Sequence, residues 1–111
     1  MAQKIKVVMC PADRAPYVTF ISNTLEAFQT AVGGYIETVD FSHSVVIVCS
    51  GGDRLQGLPE CRSIMMPGFV GDCFFVGASG DEFTDLTDDQ ARFLLQNCKR
   101  RWKKLSGGIK Q

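Results

Sequence analysis

Asn23-Thr24-Leu25-Glu26-Ala27-Phe28-Gln29-Thr30-Ala31-Val32-Gly33-Gly34-Tyr35-Ile36-Glu37 places a helix, its stop and the start of a strand in one passage. Asn23 is spaced to accept a hydrogen bond from the amide three residues on, with Glu26 reaching back, so the passage predicts a capped helix start. Leu25, Phe28 and Val32 fall at i, i+3 and i+7 and predict one apolar stripe. Gly33-Gly34 supplies the left-handed residue that ends a helix. A helix of about nine residues is marginal alone in water, so a sheet must lie beneath its stripe. Burial of Leu25, Phe28 and Val32 would contribute about 1.5–3 kcal/mol each at most.

Upstream, residues 4–10 alternate Ile5, Val7 and Met9 with Lys6, Val8 and Cys10, which predicts a strand ended by Pro11. Tyr17 to Ile21 is β-branched and aromatic, a second strand hairpinned to the first. Downstream, Tyr35 to Phe41 reads as a third strand, with Tyr35, Glu37, Val39 and Phe41 on one face and Ile36, Thr38 and Asp40 on the other. A turn over Phe41–Ser44 leads into Val45-Val46-Ile47-Val48-Cys49, apolar on both faces and therefore the predicted central strand. Ser50-Gly51-Gly52-Asp53 predicts a turn into a short return strand, Arg54–Gln56. Residues 57–71 then read as a loop.

Cys73-Phe74-Phe75-Val76 is expected to be the last strand, closed by Gly77 and Gly80. A second helix follows. Thr87 and Gln90 form a capping box, with Leu86 and Ala91 as a hydrophobic staple. Ala91, Leu94, Leu95, Cys98, Trp102 and Leu105 make a continuous apolar stripe. Asp88 and Asp89 meet the positive end of this helix and the basic run its negative end. The order β-β-α-β-β-β-α predicts an α+β fold, a mostly antiparallel sheet of five to six strands with two helices packed on it. One domain over residues 1–105 and a frayed tail over 106–111 account for all 111 residues.

Hydrophobic residues are 45% and charged residues 22%, the balance of a globular chain. The longest apolar run, Val45–Cys49, is too short to span a membrane, and the N-terminus lacks a signal-peptide pattern, so a cytoplasmic setting is expected. Cys10, Cys49, Cys61, Cys73 and Cys98 are odd in number and contain no CxxC, which predicts buried reduced thiols and no metal site. Net charge is zero but uneven. Asp72, Asp81, Glu82, Asp85, Asp88 and Asp89 crowd one segment, and Lys99, Arg100, Arg101, Lys103, Lys104 and Lys110 crowd the end.

Glu37 is the carboxylate of greatest interest. With Tyr35, Val39 and Phe41 lining a groove it would anchor a ligand amine or hydroxyl; on a solvated face it is an ordinary strand residue. His43, the only histidine, sits between serines with no nucleophile signature and reads as a turn residue. Gly68-Phe69-Val70-Gly71 and Gly77-Ala78-Ser79-Gly80 match GxxG but carry no basic residue, and both read as turns. Lys99, Arg100, Arg101, Lys103 and Lys104 with Trp102 could meet phosphates and stack a base, although the helix dipole already accounts for the cations and the stripe for the ring. The acidic run Asp81–Asp89 is explained by turn formation and helix capping.

Several phrases recur in order: Asn23–Ala27, Val32-Gly33-Gly34-Tyr35-Ile36-Glu37, Gly57-Leu58-Pro59 with Arg62, Phe74-Phe75-Val76-Gly77, Gly80-Asp81-Glu82-Phe83 and Leu86–Gln90. Together, over about residues 4–96, they resemble the family catalogued as domain of unknown function 3846. The resemblance implies a phage or mobile-element setting and carries no activity with it. Two departures are evident. Cys61 stands where the family usually has Asn before the arginine, and the hairpin after that loop is shortened to Ser63–Gly68. Arg62 and Asp81, within the shared phrases, join Tyr35 and Glu37 as candidate ligand- or partner-binding residues.

These readings point to a non-enzymatic, cofactor-free binding protein. The first expectation is an accessory, anti-defence inhibitor that acts on a host protein or sequesters a small nucleotide-like ligand. The alternative is a nucleic-acid-binding module using the basic helix end. An enzyme with Glu37 as general base lacks a visible second catalytic partner. Phe93 and Trp102, left over on the second helix, would suit a homodimer.

Overall fold

The structure, a computed structural model, describes residues 3–51, 61, 63–64 and 68–107, the last three as backbone only. Eight elements follow in order: β1 (Lys4–Cys10), β2 (Tyr17–Ser22), α1 (Leu25–Val32), β3 (Ile36–Ser42), β4 (Val45–Ser50), β5 (Cys73–Ser79), β6 (Glu82–Thr84) and α2 (Asp88–Gly107). The strands form one antiparallel sheet in the order β2-β1-β5-β4-β3, with β6 also paired to β5. The α+β class and its element order therefore hold. The expected return strand at Arg54–Gln56 lies outside the described residues.

The helices cover opposite faces. Beneath α1 lie Ile5, Val7, Met9, Val46, Val48, Phe74 and Val76, joined by Phe28 and Val32 of the helix. Beneath α2 lie Val8, Cys10, Val45, Ile47, Cys49, Cys73 and Phe75, joined by Ala91, Leu94 and Cys98. A strand covered on both sides needs apolar residues at every position, which explains the unbroken apolar runs of β4 and β5. Both are interior, but β5 takes the centre, pairing β1 on one edge and β4 on the other. Phe74 meets Phe28 edge-on at 5.2 Å, and Phe75 meets Phe41 edge-on at 5.3 Å on the other face.

The start of α1 differs from the expectation by one residue. Thr24 is the N-cap: the Ala27 amide donates to its Oγ1 at 3.1 Å. Asn23 instead donates through Nδ2 to the Phe83 carbonyl at 3.0 Å, tying the helix start to β6. The buried stripe also differs from the expected one. Phe28 and Val32 are buried with Ala27 and Ala31 beside them, while Leu25 is 60% exposed. Gly33 takes the left-handed conformation (φ 85°) and donates to the Gln29 carbonyl, ending the helix as expected.

Strand β5 does not stop at Gly77 but runs to Ser79, and Gly80 (φ 62°) makes the turn into β6. A β-carbon on Gly77 would stand 2.4 Å from the Asp85 carbonyl oxygen, so the glycine permits the close passage of the chain leaving β6. That chain is fastened to β1: the Lys6 amide donates to Asp85 Oδ1 at 2.6 Å, and the Leu86 amide donates to the Lys6 carbonyl. The Lys6 ammonium also bonds Asp88 in the first turn of α2 and holds that exposed carboxyl below its ordinary pKa. The Thr87/Gln90 capping box forms in both directions, at 2.9 and 3.0 Å. Helix α2 extends to Gly107, two residues past the expected end of the domain at residue 105.

Three substitutions separate these contributions. Thr24→Ala should lower the unfolding free energy by about 1 kcal/mol. Phe74→Ala should cost about 3–5 kcal/mol. Leu25→Ala, despite the apolar spacing, should stay within about 0.5 kcal/mol. Urea melts followed by far-UV circular dichroism measure all three.

Candidate functional site

Helix α2 is longer than the strand beneath it. Its 20 residues span roughly 30 Å, whereas the 7 residues of β1 span roughly 23 Å. The Cys98 sulfur lies 3.9 Å from that of Cys10, the last residue of β1. One turn later, therefore, Trp102 has passed the strand end. It is half-buried, on the stripe as expected, but it faces the β1–β2 connection at Ala15 rather than the sheet.

The gap so formed is an open cleft of about 750 Å³ lined by Ala15, Gln96, Lys99, Arg100, Trp102 and Lys103. Lys99, Arg100 and Lys103 are exposed. Among the described residues, the ion pairs are Lys6–Asp88, Arg14–Asp13 and Arg92–Asp89, and none involves a cation of the Lys99–Lys104 run. Arg100 donates to the neutral side chain of Asn97 at 3.5 Å. Arg101 points differently. It is half-buried, with its Nε enclosed and without a hydrogen-bond partner among the described residues. Lys104 is exposed and lies outside the cleft lining. The result is an aromatic ring with three cations around it. Ala15 and Gln96 were not singled out from the sequence; a loop residue facing a helix across the fold leaves no local signal.

Glu37 lies at the other side of the same sheet face. It pairs in register with Cys49, and both line a recess of about 180 Å³ with Val39, Ser50, Gly68, Phe69 and Val70. A β-carbon on Gly51 would stand 3.0 Å from Glu37 Cβ, so the backbone at Gly51 packs directly on that side chain. Tyr35 is 70% exposed and does not line the recess; its carbonyl accepts from the Gly51 amide. Asp81 is exposed in the β5–β6 turn, at the opposite end of β5 from Cys73 and roughly 20 Å along the strand. Glu37 and Asp81 thus do not share a site. Arg62 lies outside the described residues. His43 is exposed in the β3–β4 turn, as its sequence context predicts.

All five cysteines are buried and reduced, and all belong to the core beneath α2. Cys73 sits between Cys49 and Cys61. Its sulfur lies 3.7 Å from the Gly71 carbonyl oxygen, and the neighbouring Cys49 and Cys61 thiols hold it well above the ordinary thiol pKa, while Cys49 and Cys61 are themselves lowered by Cys73. Burial and the Glu37 charge oppose the shift at Cys49. Among the described residues, no group of three or more His, Cys, Asp or Glu side chains is arranged to hold a metal. No described helix is long and apolar enough to cross a membrane.

The chain belongs to the family described as a domain of unknown function (DUF3846), which matches residues 5–100. That span takes in the strands, save Lys4 at the start of β1, and α2 as far as Arg100. Comparison with curated proteins and with solved structures gives no match.

Trp102 is the only tryptophan, so its fluorescence reports the cleft alone. Three cations around a half-buried ring attract anions locally. Iodide should therefore quench the emission with a larger Stern–Volmer constant than caesium in dilute buffer, and the difference should shrink in about 1 M salt, where the Debye length falls to about 3 Å. Lys99→Glu combined with Lys103→Glu should reverse the preference.

Proposed function

We propose that this chain is a non-enzymatic binding protein whose ligand site is the cleft at the end of α2. The ligand is an anion with a planar ring: a nucleotide, free or within a single strand of nucleic acid. The observation that carries this reading is the placement of Trp102 in a cleft walled by Lys99, Arg100 and Lys103, with no carboxylate among the described lining residues. A cleft of about 750 Å³ falls in the range of small-ligand sites. An aromatic face binds a base by stacking, worth about 1–3 kcal/mol per base, and the cations take the phosphates. No hydrolytic or transfer chemistry is needed for such a role.

The mobile-element setting that the family resemblance implies gives this binding a use. A small cytoplasmic protein that sequesters a nucleotide-like signal would act as an accessory inhibitor of host defence. Nucleic-acid binding uses the same residues, and the length of the preferred ligand distinguishes the two.

A second reading, a host protein partner, is favoured by strand β2. It is an edge strand with regular pairing over its full length, no charge and no proline, and it exposes Tyr17, Val18 and Phe20. Such an edge accepts an added strand. The opposite edge, β3, carries Glu37 and Asp40 and a bulge between Asp40 and Ser42, features that discourage pairing.

Titration with ATP and with an oligothymidylate should quench Trp102 fluorescence. Lys99→Glu with Lys103→Glu should weaken binding at least about tenfold, as expected for losing two charge-assisted contacts. With about three phosphates engaged, oligonucleotide affinity should fall with salt at a log–log slope of about −2. Unquenched emission together with salt-insensitive or undetectable binding would sink the cleft reading. Val18→Lys should leave these titrations unchanged while abolishing co-purification of any partner that adds a strand to β2.

A further inference from the structure

The outer edge of β2 carries a fixed pattern of donors and acceptors. The Asn23 amide donates to the Gln3 carbonyl, so in the β1–β2 register Ile21, Thr19 and Tyr17 turn their backbone groups toward β1. Lys6, opposite Phe20, turns its own away from β2, to Asp85 and to the Leu86 amide, which fixes the same alternation. Val18, Phe20 and Ser22 therefore point their amides and carbonyls off the sheet, where β2 is the end strand among the described residues. The Ser22 carbonyl is already taken by the Thr24 amide. Pro16, two residues before Val18, has no amide.

This set is symmetric about Thr19. When a second strand of the same sequence lies antiparallel with Thr19 facing Thr19, Val18 of each copy exchanges both backbone bonds with Phe20 of the other. Ser22 then faces Pro16, so the carbonyl that needs no donor meets the residue that has no amide. Moving the centre loses the match. Centred on Val18, the Phe20 carbonyl faces Pro16; centred on Phe20, the Val18 amide faces the occupied Ser22 carbonyl. The side chains agree with the Thr19 centre. Tyr17 meets Ile21 and Thr19 meets Thr19 on the α1 face, and Val18 meets Phe20 on the other, all favourable cross-strand pairs. No residue from Tyr17 to Ser22 is charged, so the strand meets no like charge in its own copy. On the α1 face an open groove of about 450 Å³ runs beside Tyr17, lined by Met9, Thr19, Ile21, Ala27 and Ala31.

We propose that the occupant of the β2 edge is a second copy of this chain, joined β2 to β2 about a two-fold axis at Thr19 so that one sheet runs through both copies. The inference rests on the edge reading of β2 given above and is independent of the Trp102 cleft. Tyr17 of each copy lies over the groove beside Ile21 of the other. The joined sheet ends at β3 in both copies, where Glu37, Asp40 and the bulge oppose further pairing, so association closes at two. An interface of one strand per copy falls below about 1,200 Å², the range of weak, reversible complexes.

Sedimentation equilibrium of the full chain across the micromolar range should raise the mass from 12.2 kDa toward twice that value. Val18→Lys, at an exposed position, should hold the mass at 12.2 kDa with the far-UV circular dichroism unchanged. Thr19→Cys reads the axis itself. Facing residues of a non-hydrogen-bonded pair have Cα atoms about 4.5 Å apart, inside the about 4.4–6.8 Å that a disulfide spans. Mild oxidation should link Thr19→Cys into a covalent dimer that a reductant dissolves. Val18→Cys and Phe20→Cys, each facing the other position rather than itself, should stay unlinked, and the five native cysteines are buried. A mass of 12.2 kDa at every concentration overturns the proposal; capture of a different protein at β2 by that monomer would leave the edge reading standing without it. A dimer that persists in Val18→Lys, or a link through Val18→Cys or Phe20→Cys and not through Thr19→Cys, overturns it equally. The unsubstituted chain and Val18→Lys decide the matter even where Thr19→Cys fails to fold.

Discussion

Strand β5 is the constraint on which the rest depends. The chain makes two hairpins, β1–β2 and β3–β4, that share no hydrogen bond with each other. They become one sheet because β5 pairs with β1 and β4 together. Its side chains alternate between the two cores, Phe74 toward α1 and Phe75 toward α2, so each helix packs on the same strand from its own side. Removing either ring opens a cavity at the centre of one layer, and the neighbouring strands cannot close over it independently. The passage over Gly77 belongs to this arrangement, since the chain can leave β6 for α2 only where β5 presents no side chain.

Local signals were legible where local physics decides the outcome. The Thr87/Gln90 box, the Gly33 stop and the β1–β2 hairpin each depend on residues close in sequence. The start of α1 shows how such signals fail by one position. Asn23 and Thr24 are both competent caps; Thr24 takes the role, and Asn23 instead donates through Nδ2 to the Phe83 carbonyl, 60 residues away. Leu25, the first helical residue, is left facing solvent. The central place of β5 was harder to read. Val45–Cys49 and Cys73–Val76 are equally apolar on both faces, and the nearby glycines suggested an ending. Only the close passage of another chain segment explains Gly77, and that is a non-local fact.

The candidate sites divide the same way. The basic run and Trp102 were visible as a cluster, because helical spacing brings them together. The cleft itself was not visible, since it arises from α2 outrunning β1. Glu37 was placed correctly on a strand face shared with Val39, yet its partner Cys49 was read only as core. Counting outward from the β3–β4 turn would have paired them. Asp81 shared family phrases with Glu37 but sits at the far end of β5, because a phrase in sequence says nothing of where a strand ends in space.

Both recesses lie on the α2 face, and their charges have opposite signs. The cleft is walled by Lys99, Arg100 and Lys103, and the recess by Glu37. A net charge of zero gives the molecule no long-range pull on anions. Within a Debye length of about 8 Å, however, each site feels mainly its own residues. On the proposed reading, an anionic ligand is therefore drawn to Trp102 and away from the Glu37 recess. The uneven placement of balanced charge thus gives one sheet face two recesses of opposite sign, and only the cleft at Trp102 carries the cations that the proposed ligand needs.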